Sequence, residues 1–431
     1  MSTAAPCAPP AVAGDVERSR IAGTVVLRYV LSAAGPVCIS AAHFIAALVF
    51  LHTFTRAEFG QFSFLLVIVP FCLSLAGAMI GAPAAVAVRH GSMIASELVT
   101  YLKTNLALGS VAGVSVCTLM WSSGGGWHFA LISGAYGAVM TLRWFARTLT
   151  YARGPAYRVL VSDVLYSAFL VAALLLPSHL HRLTPLSAVQ ILCCSCFLAW
   201  LSFGPTYLRE QFAAALTGSL GGYVRIWNQL ARWSAFGVVL TEFTANAHAY
   251  LVTFIAGPAA FAPLAVGALL MRPVQLVLAA IPDRERPTMA ILLGSGNYPA
   301  AQRSVNHFRM AAGAVWLLTA TTAAGLLLWY PQLILRKGYE PSQALTVLGF
   351  FAVITAVRSF RTPESVLLQA AGEFRALAFA SLFSSMVSLA ATLALLIFVG
   401  PVFSLAGILA GEIVVTMRVR ATADAWMRCR A

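Results

Sequence analysis

Glu242, Asn246, His248 and Arg272, the last followed by Pro273, sit inside the apolar segments of the stretch from Leu240 to Pro287. The stretch divides at Gly257-Pro258 into two segments, about 233–256 and 259–282, each long enough to cross a bilayer, since ~20 apolar residues span ~30 Å of hydrocarbon. Charge at such depth is costly and by default marks a water-filled path or a substrate site. Arg272 falls roughly 20 Å along its segment at ~1.5 Å per residue, near the middle or slightly to its inner side. It reads either as a cavity cation for a phosphate or other anion, or as a buried partner for Glu242. The permanently charged planar fork of arginine suits phosphate oxygens and favours the first reading.

Glu242 and Asn246 are four apart and share a helix face, which Thr241, Thr244 and His248 extend. Glu242 is a candidate for coupling to protons or sodium, or a structural counter-ion. His43, in the middle of an earlier apolar run, reads as lining the same cavity or as a packing histidine. Arg28, Arg143 and Arg358 lie near the cytoplasmic ends of apolar runs. There they either snorkel to the headgroups or form a ring of cations at an inner mouth that attracts an anionic headgroup. Asp163 and Glu412 also fall inside apolar runs, with no role assigned by the sequence.

The elements that must position these groups are membrane helices. The chain is 60% hydrophobic and only 10% charged over 431 residues, with a mean hydropathy of +0.84. That composition describes an all-α polytopic membrane protein, not a soluble domain or a β-barrel of weakly alternating strands. About twelve spans can be placed, near 29–53, 59–83, 104–123, 126–143, 159–179, 185–206, 233–256, 259–282, 309–330, 343–360, 376–399 and 401–417. Gly77/Gly81, Gly109/Gly113 and Gly407/Gly411 have the small-xxx-small spacing of closely packed membrane helices.

With the N-terminus cytoplasmic, 23 of the 28 basic residues fall on the inner side and 4 on the outer, with Arg272 inside a span. This bias places both termini in the cytoplasm. It also disposes of a nucleic-acid partner, because the net charge of +14 is mostly topology. The chain reads as a tail to residue 28, a first six-helix half (29–217), a cytoplasmic linker (218–232), a second half (233–417) and a tail from 418. A faint repeat supports the division: Thr55 to Phe62 opens the second span and Gly257 to Leu264 the eighth, with Pro70 and Pro273 at similar distances beyond. Six spans per half is the parallel kind of repeat.

Six of the eight cysteines lie in apolar runs as small hydrophobes, and Cys193-Cys194-Ser195-Cys196 lacks the second ligand pair a metal would need. No Walker-type or HExxH motif is present, so no enzyme, cofactor or metal is expected.

The pattern from His43 through Val86, with Thr55-Arg56-Ala57-Glu58-Phe59-Gly60-Gln61-Phe62-Ser63-Phe64 between the first two spans, resembles bacterial polysaccharide flippases. These share a superfamily with the multidrug and toxin extrusion transporters. The run from Asn246 to Gly267 and the proline after Arg272 resemble the corresponding place in the second half. The resemblance implies a V-shaped pair of six-helix lobes with alternating access, in the bacterial inner membrane. It implies as cargo an oligosaccharide on undecaprenyl diphosphate, turned to the periplasmic leaflet and passed to polymerase and export machinery. Cavity arginines on the first and eighth helices of related flippases hold the diphosphate, and Arg28 and Arg272 are the positions here that match. A cation-coupled multidrug antiporter of the same superfamily is the alternative. It would be expected to show acidic residues lining the first lobe, and spans one to four hold none beyond Glu58.

Overall fold

A computed structural model describes residues 34–89, 95–153, 156–179, 183–217, 219–335 and 338–429. These residues are helical almost throughout, with no strand among them. The first half holds α1 (Ala34–Thr53), α2 (Arg56–Ala76), α3 (Ala95–Ser122), α4 (Trp127–Arg153), α5 (Ala156–His179), α6 (Pro185–Leu201) and α7 (Pro205–Thr217). The second holds α8 (Arg232–Ile255), α9 (Pro258–Leu270), α10 (Arg272–Gly294), α11 (Tyr298–Trp329), α12 (Pro341–Ala370), α13 (Phe374–Phe398) and α14 (Ser404–Arg428).

Nine of these helices are long and apolar enough to cross a membrane. Two further pairs are long and apolar enough only when taken together and are bent at the join: α6 with α7, turning by 102°, and α9 with α10, turning by 56°. The twelfth expected span corresponds to α14, whose outer half packs on α13 and whose inner half carries Arg418, Arg420, Asp424 and Arg428. Large apolar side chains such as Trp233, Leu318 and Phe398 are exposed on the outside of the bundle, as a lipid-facing surface requires.

Local chemistry explains the breaks. The Thr55 hydroxyl accepts from the Glu58 N–H, and the Glu58 carboxylate accepts from the Thr55 N–H, so a capping box starts α2. Gly257 adopts φ 86° and Pro258 takes the first helical position, so the chain turns tightly from α8 into α9. Gly204, at φ 93°, serves the same purpose at the α6–α7 elbow. After Leu270, Met271 leaves helical geometry (φ −90°, ψ 6°). Pro273 has no N–H for the carbonyl four residues back and crowds the residue before it, so α10 restarts at Arg272 on a new axis. The single eighth span expected from hydropathy is thus two helices that break beside the arginine.

Most packing lies within each half, α3 on α4 and α4 on α6 in the first, α13 on α14 and α11 on α12 in the second. The halves meet chiefly where α2 packs against α8 and α9. There Gly60 lies so close to Pro258 that a Cβ would sit 1.9 Å from its carbonyl oxygen. Next to it the Phe64 ring meets Tyr250, Phe254 and Phe261 edge-on. Thus the two segments of the faint repeat, one at the start of each second-of-six span, touch each other. Of the three glycine pairs, Gly109/Gly113 and Gly407/Gly411 are close helix contacts, the latter against Thr392 and Ser388. Gly77 and Gly81 instead bound a π-helical turn that continues α2 into Ala82–Arg89.

Candidate functional site

Arg272 stands at the first position of α10, half-buried, at the break in the eighth span. Among the described residues its guanidinium has no hydrogen-bond or ion-pair partner. It lies within electrostatic reach of the polar side chains of His43, Tyr136 and Tyr166. Those three belong to α1, α4 and α5, so the arginine of one half looks across to a polar cluster of the other. In that cluster His43 Nε2 is 2.7 Å from the Tyr166 hydroxyl, which lies 3.2 Å from the Tyr136 hydroxyl.

The other arginines at comparable depth are committed. Arg143 is wholly buried: one Nη donates to Asp163 at 2.6 Å and to the Ser162 carbonyl, and Nε donates to the Ser162 hydroxyl. Its cation also lies 4.8 Å from the Tyr166 ring centroid. Arg147, one turn on, donates to the second Asp163 oxygen at 2.7 Å. Gly35 of α1 presses on the same carboxylate, leaving no room for a Cβ. The expectation that Arg143 is an exposed cation at an inner mouth is therefore corrected: it faces the helix interior, where an unpaired charge would be too costly.

The second half repeats the device. Arg358 Nε donates to Glu412 at 2.7 Å, and Arg361 reaches the other oxygen at 3.2 Å. Arg358 is only 18% exposed and Glu412 1%, so Arg358 is likewise an internal ion-pair member and not an open mouth cation. The arginine pairs 143/147 and 358/361 sit on the fourth and tenth spans, six apart, the interval of the parallel repeat. Asp163 and Glu412, to which the sequence assigned nothing, are the anchors of both clusters.

Glu242 is not the partner of Arg272. Its carboxylate accepts from the Tyr250 hydroxyl at 2.8 Å and lies beside Asn246, within electrostatic reach of Arg358. His248 is buried against the Phe261 and Phe351 rings, with Nδ1 unpaired among the described residues. The structure therefore gathers Glu242 and Asn246 within the second half and His43 with Arg272 across the halves, and it sets His248 in an aromatic pocket. Arg28 lies outside the described residues. Sequence reasoning missed Tyr136 and Tyr166, which carry no signal as tyrosines in apolar runs.

No family model matches the chain, and no curated protein matches its sequence. Solved structures do match. A multidrug-resistance MATE family transporter of the MOP superfamily in an inward-facing conformation superposes with a TM-score of 0.71 at 13% identity, over 91% of this chain and 95% of that one. The outward-facing conformation of such a transporter gives 0.61 at 13% identity, over 93% and 95%. A MOP superfamily transporter from Pyrococcus furiosus, described as having a binding pocket of reversed polarity that suggests a different function, gives 0.60 at 13% identity, over 93% and 95%. The chain has the fold of these proteins, a V-shaped helical transporter fold in a multi-pass membrane protein.

Proposed function

We propose that this protein is an inner-membrane flippase that carries an undecaprenyl-diphosphate-linked oligosaccharide from the cytoplasmic to the periplasmic leaflet. The observation that carries the reading is Arg272: a guanidinium without a protein acceptor among the described residues, at a helix break deep in the membrane, facing the other half. An unpaired cation at that depth is costly unless water or an anion reaches it. Its position at the start of a 23-residue helix adds the positive end of a helix dipole to the same spot. A diphosphate answers both features, with two phosphoryl groups for the guanidinium fork and a lipid tail that stays in the bilayer.

Alternating access follows from the fold. The outer end is closed by Gly60 on Pro258 and by the Arg56 guanidinium, which donates to the Gly338 carbonyl at 3.3 Å and lies 5.2 Å from the Tyr339 ring centroid. The fold is also compatible with pockets of different polarity, as the description of the Pyrococcus furiosus transporter indicates. The antiporter reading wants a free carboxylate in the first half. The carboxylate buried there, Asp163, is instead occupied by two arginines. Glu242, hydrogen-bonded but not ion-paired among the described residues, is the group suited to couple the cycle to a proton or sodium gradient.

The test is deletion of the gene with analysis of the lipid-linked sugars. Build-up of cytoplasmic-leaflet intermediates and loss of surface glycan, reproduced by Arg272→Ala, supports the proposal. Unchanged glycan with altered drug tolerance replaces it with the antiporter.

A further inference from the structure

A second place in the molecule has the makings of a ligand site, and it shares no residue with the Arg272 region. At the end of the second half that the basic residues assign to the cytoplasm, α11, α12 and α14 extend past their apolar parts. Between them lies a cavity of about 610 Å³, within the ordinary range for small-molecule sites. Its polar lining is Gln302, Arg309, Glu364, Arg420, Asp424 and Arg428. Three guanidinium groups against two carboxylates leave one positive charge in excess.

The hydrogen bonding is incomplete in a telling way. Glu364 is only 6% exposed, and both neighbouring arginines converge on one of its oxygens: Arg309 Nη2 at 2.5 Å and Arg420 Nε at 3.6 Å. The other oxygen, Oε2, is buried without a partner among the described residues, and so is Arg309 Nε. Buried polar groups are normally satisfied, so the site presents one unmade acceptor and one unmade donor beside surplus positive charge. A ligand that completes it must bring an anion for the arginines and an O–H or N–H for Glu364.

We propose that this cavity binds a hydroxyl-bearing phosphate from the cytoplasmic side. The phosphate oxygens would accept from Arg309, Arg420 and Arg428, with an adjacent hydroxyl donating to Glu364 Oε2. A soluble sugar phosphate or polyol phosphate and the headgroup of phosphatidylglycerol share this chemistry. The proposal depends on the assigned topology but not on the cargo. Glu364 lies one helical turn from Arg361, which pairs with Glu412, so occupancy would bear on the same helix that carries the second half's internal ion pairs.

The experiment uses the full chain carrying Arg272→Ala, so that the membrane-depth arginine contributes nothing. In one arm, glycerol 3-phosphate is titrated into protein in phosphatidylcholine nanodiscs by calorimetry. In the other, detergent-purified protein is given phosphatidylglycerol or phosphatidylcholine and the retained lipid is counted by native mass spectrometry. Saturable binding in the first arm identifies a soluble ligand; selective phosphatidylglycerol retention in the second identifies a headgroup. In either case Arg420→Gln with Arg428→Gln, both exposed positions, weakens binding by about tenfold or more, as loss of charge-assisted bonds requires. Arg225→Gln, in a surface ion pair elsewhere, leaves it unchanged. No binding in either arm, or equal binding by the double variant, overturns the proposal.

Discussion

Replacing Asp163 by Asn tests how much the first half depends on its internal charges. The carboxylate is 0% exposed and holds Arg143 at 2.6 Å and Arg147 at 2.7 Å, themselves 0% and 5% exposed. The amide keeps the shape and one acceptor oxygen, but two buried guanidinium groups lose the counter-charge they share among the described residues. Breaking one buried pair by removing a partner costs ~3–5 kcal/mol, much of it the penalty of the charge left behind. Asp163→Asn would strand two such charges, partly relieved by the Ser162 contacts of Arg143, so the same ~3–5 kcal/mol is a lower bound. The control is Glu97→Gln, which breaks the Arg225 pair where the arginine is 68% exposed; an exposed pair is worth ~0–1 kcal/mol. Reversible unfolding in mild detergent, followed by near-UV circular dichroism, ranks the two. If Asp163→Asn is no more destabilising than Glu97→Gln, the assignment of Arg143 and Arg147 to a buried ion-pair cluster is wrong.

Other expectations follow from the same geometry. Gly35→Ala drives a methyl group into the Asp163 carboxylate and is expected to cost ~1–3 kcal/mol in the same assay, as overpacking does. Gly60→Ala sets a methyl group against the Pro258 backbone, so the outer ends of α2 and α9 should separate; spin labels placed on either side of that contact should move apart, whereas Gly237→Ala, with open space around it, should shift nothing. Glu242→Gln should remove any dependence of transport on an imposed proton or sodium gradient while leaving lipid binding intact, read by transport under clamped gradients.

Much of the fold was legible because the bilayer makes hydrophobic length decisive. The segments placed by apolar runs fall on helices or bent helix pairs of the described residues, of which nine, or eleven with the bent pairs, are long and apolar enough to cross a membrane. The bends were not legible from hydropathy, which is blind to direction. At α6–α7 the only clue is Gly204 before Pro205. At Met271 the proline two residues on was visible, but whether a proline kinks or breaks a span depends on packing around it. The internal ion pairs were hidden for a similar reason, since pairing depends on depth and rotation as well as sequence. One signal was present: Arg143 lies ten residues before the end of α4 at Arg153 and Asp163 seven residues after the start of α5 at Ala156, so antiparallel packing brings them to within about one turn of the same level. Reading Arg143 from its distance to the end of an apolar run overlooked that the run continues, as α4, to Arg153. Arg272 was legible as an intramembrane charge, but its lack of a carboxylate partner among the described residues was not, because Glu242 on the neighbouring helix was an equally good sequence candidate.

Transport in vitro tests whether Arg272 holds the diphosphate. Purified protein is reconstituted into liposomes with a fluorescent undecaprenyl-diphosphate-linked sugar, and translocation is read by dithionite quenching of the outer leaflet. The unaltered protein should translocate rapidly, Arg272→Ala about 10- to 100-fold more slowly, as loss of a charge-assisted phosphate contact entails, and Arg272→Lys should recover part of the rate. Translocation by Arg272→Ala at the unaltered rate would contradict that role for Arg272.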